Sequence, residues 1–258
     1  MPISEADLEK IKERVVRERG YWGPLQASLA HIDASWIDTY LDFVNAPDQY
    51  GRMSKRLQHL IYVAIDSSTT HLFQRGLGQH ILLAHKHGAT REEIFEVLQL
   101  TTELYSLSAK VGLPILKEEL RRAGMSEELG PAIDATPEQQ QLKKQFTDKL
   151  GFWPQWLDDL LRSHPAYAQS YMKIAVNPWV KGALPPKEKA FISIAIYSSP
   201  TTVHEASLRE HIRHALELGA TAAEIVDVIQ LASGIGLHTM SVGAPAFVKM
   251  LDGIDLGG

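Results

Sequence analysis

The chain repeats itself. MSKRLQHLIYVAIDSSTTHLFQRGLGQHILLAHKHGATREEIFEVLQL, from Met53, aligns without a gap on LPPKEKAFISIAIYSSPTTVHEASLREHIRHALELGATAAEIVDVIQL, from Leu184, at an offset of 131 residues. His80 falls on His211, Gly88-Ala89-Thr90 on Gly219-Ala220-Thr221, and Glu93-Ile94 on Glu224-Ile225. The offset persists outward: Gly20 and Trp22 match Gly151 and Trp153, Tyr40 matches Tyr171, and Pro114 matches Pro245. One fixed offset held over about a hundred residues is the mark of a duplicated unit. The expected organisation is two units, 1–125 and 136–258, derived by fusion of a former homodimer. The linker between Ala123 and Thr136 contains Gly130 and Pro131.

Each unit reads as all-helical. Residues 5–19 are amphipathic and stop at Gly20. Met53–Ser67 and Pro186–Ser198 are apolar helices, although their β-branched residues leave some strand ambiguity. Thr70 or Thr202 is expected to cap a helix ending at Gly88 or Gly219, glycine being the usual left-handed terminator. Thr90-x-x-Glu93 and Thr221-x-x-Glu224 are capping boxes, and Thr136-Pro137-Glu138-Gln139 opens the second unit's first helix.

Composition narrows the function classes. The chain has 258 residues, 45% of them hydrophobic, which is enough apolar surface to offset the entropy of ordering. The net charge of −5, with no Lys/Arg-rich run, argues against a nucleic-acid partner. There is no cysteine, which removes disulfides, thiolate metal sites and thiol nucleophiles together. The chain opens on a charged amphipathic segment, not a signal peptide, and no uninterrupted apolar run reaches the roughly 20 residues of a membrane span. The expectation is a cytoplasmic protein with no membrane contact. No G-x-G-x-x-G, Walker A or G-x-S-x-G motif is present.

Histidine carries the chemical signal, with 11 in the chain. His204, His211 and His214 share HEASLREHIRHALELG, and positions seven apart on a helix differ by only about 20° in direction. His211 therefore reads as a general acid–base, as a core histidine, or as a metal ligand. The metal reading is weakened because seven residues of helical rise separate His204 from His211 by about 10 Å. Glu188 lies in a first helical turn, where it compensates the helix dipole. Glu103 sits in the apolar run LQLTTELYSL and needs a partner or a raised pKa, or else a place at a subunit boundary. Its counterpart is Gly234, in a Ser233-Gly234-Ile235-Gly236 stretch that opens space for a ligand or a close helix contact, followed by His238.

On these residues the sequence resembles the carboxymuconolactone decarboxylase family. The resemblance lies in a K/R-E-[KR] helix start, then L-R-x-H, then a G-[AV]-T-x-x-E-[IL] junction, and it extends over both units. The first unit is the weaker match, because Gly78 stands where the second has Arg209. The resemblance implies an all-α fold of two fused carboxymuconolactone-decarboxylase-like helical repeats, related by a pseudo-twofold. It also implies a cofactor-free decarboxylase of a carboxylated unsaturated lactone or a related small acid. Aromatic catabolism would be the setting, and the chain would assemble as a homotrimer imitating a hexamer. The thiol-peroxidase branch uses Cys-x-x-Cys before the histidine. Here those positions are His204 and Ser207, or Phe73 and Gly76. The residues carried over from the decarboxylase branch are Glu188, Arg209 as the anion clamp and His211 as the acid. His204, His238 and Glu103 are added from position, and His80 as the first unit's counterpart. Sites are expected to be dominated by the second unit. The same scaffold would also suit an isomerase, hydrolase or carbon–carbon lyase working through an enolate, a histidine-ligated metal enzyme, or a non-catalytic ligand-binding protein.

Overall fold

Helices are the only regular elements among the described residues of the computed structural model, which are 4–129 and 133–256. The first half holds α1 (Glu5–Arg19), α2 (Pro24–Asp33), α3 (Ser35–Asn45), α4 (Lys55–Ser67), α5 (Gln74–Lys86), α6 (Arg91–Thr101) and α7 (Leu107–Arg122). The second holds α8 (Pro137–Leu150), α9 (Gln155–Ser163), α10 (Pro165–Lys181), α11 (Pro186–Ser198), α12 (Glu205–Glu217), α13 (Ala222–Ser233) and α14 (His238–Phe247). The strand ambiguity of α4 and α11 is resolved as helix. The linker residues Gly130 and Pro131 lie outside the described residues.

Local signals place most helix ends. Gly20 terminates α1 at φ 82°, and Gly151 terminates α8 at φ 80°. The capping boxes at Thr90, Thr136 and Thr221 all form. The caps expected at Thr70 and Thr202 do not. α5 and α12 begin later, after Phe73 and His204, and the two threonine hydroxyls lie 3.0 Å apart, bonding across the halves. The turn before α5 passes through Leu72 at φ 47°, and the one before α12 through Val203 at φ 21°. Both are backbone positions that a branched side chain occupies at a cost.

The core does not follow the halves. α11 is buried on every side from Lys189 to Tyr197, and it packs on α4 and α6 of the first half as well as on α12 and α13. α4 likewise packs on α13. One apolar cluster therefore runs from Met53 to Ile235 through both halves. A second joins Val15, Leu29, Ile37 and Leu41 of α1–α3 to Ala244 of α14. The leading helices of one half thus lie on the closing helix of the other.

Charged pairs stitch the halves together. Glu96 on α6 meets Lys189 on α11 at 2.7 Å, with both side chains buried. The other Glu96 oxygen accepts from the Leu184 amide, and Lys189 donates to the Pro178 carbonyl. Asp227 on α13 takes Arg52 bidentately at 2.6 Å.

One expectation is corrected. Residues from Ala222 to Asp252 run helical for 31 residues and are long and apolar enough to cross a membrane by length and composition. In the fold a 3₁₀ turn at Gly234–Leu237 divides the stretch, α13 packs in the main core, and α14 packs on α2. Of its apolar window 33% is buried, and Val242, Phe247, Met250 and Leu251 remain exposed.

A buried pair is costly to break because the surviving charge is left uncompensated. Lys189→Met should lower unfolding free energy in urea by about 3–5 kcal/mol. The double variant Glu96→Gln/Lys189→Met, which keeps an acceptor for Leu184, should recover much of that loss.

Candidate functional site

A cavity of about 350 Å³ opens beside His80, not beside His211. Its walls come from both halves. Arg19, Tyr21 and Tyr40 come from the leading segment, Tyr62 from α4, and Arg75, Gln79 and His80 from α5. Gly234, His238 and Ser241 come from the far half. Gly234 does open space, as its sequence context suggested. That space belongs to His80, because the segment leading into α14 crosses to the first half.

Three features define this cavity. His80 is buried, its ring stacks on Tyr62 at 4.6 Å, and its Nδ1 lies 3.1 Å from Nδ1 of His59, so one imidazole donates to the other. Burial, then His59 and Arg19, push His80 well below its ordinary pKa, and burial, then Arg19, push His59 down to about 3. Both rings are neutral at pH 7. Burial raises the Tyr62 and Tyr21 phenols, which stay protonated. Arg19 is the third feature. Its Nη1 reaches the Val44 carbonyl and Asn45 Oδ1, both at 3.4 Å, the Tyr62 phenol also interacts with the guanidinium, and its buried Nε has no partner. No carboxylate lies within ion-pair distance of it among the described residues.

His211 occupies the matching place in the other half, and there the space is filled. The ring is fully buried, stacked on Tyr197 at 5.3 Å and edge-on to Phe152 at 5.4 Å. Glu103 lies 3.9 Å from its Nε2. Lys110 donates to Glu103 at 2.9 Å and to the Tyr197 and Ser207 hydroxyls at 3.0 Å. Burial works to raise the Glu103 carboxyl, but Lys110 and His211 hold it below the usual range. Glu103 is therefore an ionised partner of Lys110, and a cleft of only about 10 Å³ touches Glu103. The second unit is expected to dominate, whereas the cavity lies at the first unit's His80.

The remaining candidates separate. Arg56 Nη2 donates to both oxygens of Glu188 at 2.6 Å and its Nη1 donates to Glu93, so Arg56 ties α4 to α11 and α6. Arg209 lies on the exposed face of α12, paired with Glu205 one turn back. His204 is the residue before α12, and its Nδ1 accepts from the Ser207 amide. That non-helical position removes it from the helical face it was expected to share with His211, although Tyr197 contacts both rings. His204 is shifted down by burial and then by Lys110.

His238 stands with His80 at the cavity, and it brings two residues the sequence reading did not single out. Its Nδ1 is 2.7 Å from His71 Nε2 and 3.8 Å from Asp66 Oδ1. Asp66 is 1% exposed, and neither carboxylate oxygen has a hydrogen-bond partner. Burial pushes it up to about 8; burial and His71 push His238 down to about 4. A Cβ at Gly76 would overlap Asp66 Oδ2, so glycine is what leaves the carboxylate its room. Asp66 had a visible signal, a single carboxylate ending the apolar run IYVAI. Arg19 had none, since it reads as an ordinary basic residue in a helix's last turn.

The buried imidazoles make stability depend on pH. Burial, opposed by Glu103, leaves His211 at about 4, below the roughly 6.5 of an unfolded chain. Between those values the unfolded state binds more protons, so stability rises with pH. Lowering pH from 6.5 to 4 should therefore destabilise the fold, with His211 alone contributing on the order of 3 kcal/mol. Thermal melts across that range should show the loss, and His211→Gln should flatten the slope.

No family model and no curated protein matches the chain. A solved structure from Burkholderia xenovorans does, one assigned provisionally as a gamma-carboxymuconolactone decarboxylase subunit. It superposes with a TM-score of 0.87 and is 32% identical in sequence, over 95% of this chain and 98% of that one. With the all-helical architecture, that match means the chain belongs to the carboxymuconolactone decarboxylase family.

Proposed function

We propose that the chain is a decarboxylase of a small carboxylated, unsaturated lactone or a related acid, acting in the His80 cavity. The observation that carries this reading is Arg19, a half-buried guanidinium with a buried, unpartnered Nε and no carboxylate partner among the described residues, on the wall that also holds His80. A guanidinium stays charged in any protein environment and is best satisfied by a bidentate anion. Arg75 adds a second cation to the same lining.

The chemistry needs little more than these side chains. When the bond to the carboxylate carbon breaks, the electron pair delocalises through the substrate's double bond to the lactone carbonyl. The oxygen gains charge, which the protonated phenol of Tyr62 is suited to stabilise by donating a hydrogen bond. Carbon must then be protonated. An anion in the cavity favours the charged form of a nearby imidazole, so His80 takes up a proton as the substrate binds and delivers it to carbon. Burial keeps water from competing for those contacts.

CO₂ release from γ-carboxymuconolactone is the direct assay. His80→Gln should slow it by about 10²–10⁴-fold, the usual worth of a general acid. Arg19→Met should raise KM by about 10- to 100-fold, the worth of a charge-assisted hydrogen bond. His211→Gln should leave the rate near wild type under conditions where it folds. Full activity in His80→Gln, or loss confined to His211→Gln, would overturn the assignment of the site.

The reading extends to a trimeric assembly. Leu82, Phe95, Leu216 and Val226 are exposed apolar residues on α5, α6, α12 and α13, which supports self-association through those faces. Light scattering should give three chains per particle, and the mass of one chain would overturn it.

A further inference from the structure

We propose that Asp66, His71 and His238 form a binding site for a divalent transition cation at the edge of the His80 cavity. Each offers one ligand atom, and the three atoms lie within 4.8 Å of one another. The two separations from His238 Nδ1, 2.7 Å and 3.8 Å, bracket the roughly 3.3 Å between donors around a tetrahedral ion with bonds of about 2.0–2.1 Å. Small rotations of two rings would seat it. Two imidazoles and one carboxylate make a donor set suited to zinc, iron(II), cobalt or manganese, and too poor in oxygen for calcium.

The independent observation is the Asp66 carboxylate. It is almost fully buried, and both oxygens lack a hydrogen-bond partner. A buried carboxylate in that state is expensive unless something pairs with it. A cation seated beside His71 and His238 supplies that pairing. Gly76 preserves the space, and Leu72, at φ 47°, holds the turn that presents His71. The other half has the same strained turn at Val203 but carries Tyr197, Thr202 and Leu107 at the three ligand positions. The strain is thus shared by both halves, and the ligand set belongs to one. Three protein ligands leave open positions on a four- to six-coordinate ion, and His238 lines the cavity, so a ligand's oxygen could reach the ion from there.

This inference does not depend on the decarboxylase reading, because cation binding is measured without substrate. The whole chain, freed of metal with EDTA and dialysed, is titrated with Co²⁺ and followed by visible absorption and calorimetry. One Co²⁺ per chain is expected, with a ligand-field band of a mixed nitrogen and oxygen site and a raised melting temperature. His71→Ala, at a partly exposed position, and His238→Ala should each lose the band and weaken binding by at least about tenfold, the low end for losing a metal-site contact. His164→Ala, remote from the site, should keep both. Folding of each variant is checked by circular dichroism, and Asp66→Asn serves as a third ligand variant if it folds. No stoichiometric Co²⁺ uptake, or equal uptake by His71→Ala and wild type, would overturn the site.

Discussion

The burial of α11 against both halves is the constraint on which everything else depends. A helix apolar on all sides cannot sit at a surface, so α4, α6, α12 and α13 must enclose it. Its one buried cation, Lys189, then needs a buried anion, and Glu96 from the other half provides it. Once that core is set, the leading helices of one half have no apolar surface to cover except the closing helix of the other. That crossing puts α1–α3 against α14 and frames a cavity from elements far apart in sequence.

The two halves share elements but differ in what surrounds the histidine. Around His211, Glu103 and Lys110 fill the space between helices and pair with each other. At the same offset, Gly234 and Ser241 stand where those two long side chains would be, and both line the cavity at His80. Tyr197 likewise gives way to Asp66. Replacing a bulky ion pair and a phenol by glycine, serine and a short carboxylate leaves room for a ligand. On the His211 side the buried charges Glu103 and Lys110 are paired with each other, while both His211 ring nitrogens lack a hydrogen-bond partner.

Much of the fold was legible in the residues. Gly20 and Gly151 stop helices because they reach positive φ without strain, and threonine capping boxes start them at Thr90, Thr136 and Thr221. These are local interactions over three or four residues, so local spacing reveals them. The site was legible only in part. His80, His238 and Gly234 were singled out and do come together. Glu188 and Arg209 were also singled out, and their charges are taken by Arg56 and Glu205. His204 was placed on a helical face and instead stands one residue before the helix.

The sequence by itself determined that the chain is helical, that its elements recur at a fixed offset, and that sulfur chemistry is closed to it. Each follows from periodicity, spacing or composition, which need no three-dimensional information. Tertiary structure alone decided which histidine faces a cavity. That outcome depends on which half's closing helix lies over which half's histidine, and on whether the residues it brings are Glu103 and Lys110 or Gly234 and Ser241. The contact between His71 and His238 spans 167 positions and leaves no trace in local spacing, because it exists only once α14 has crossed the core.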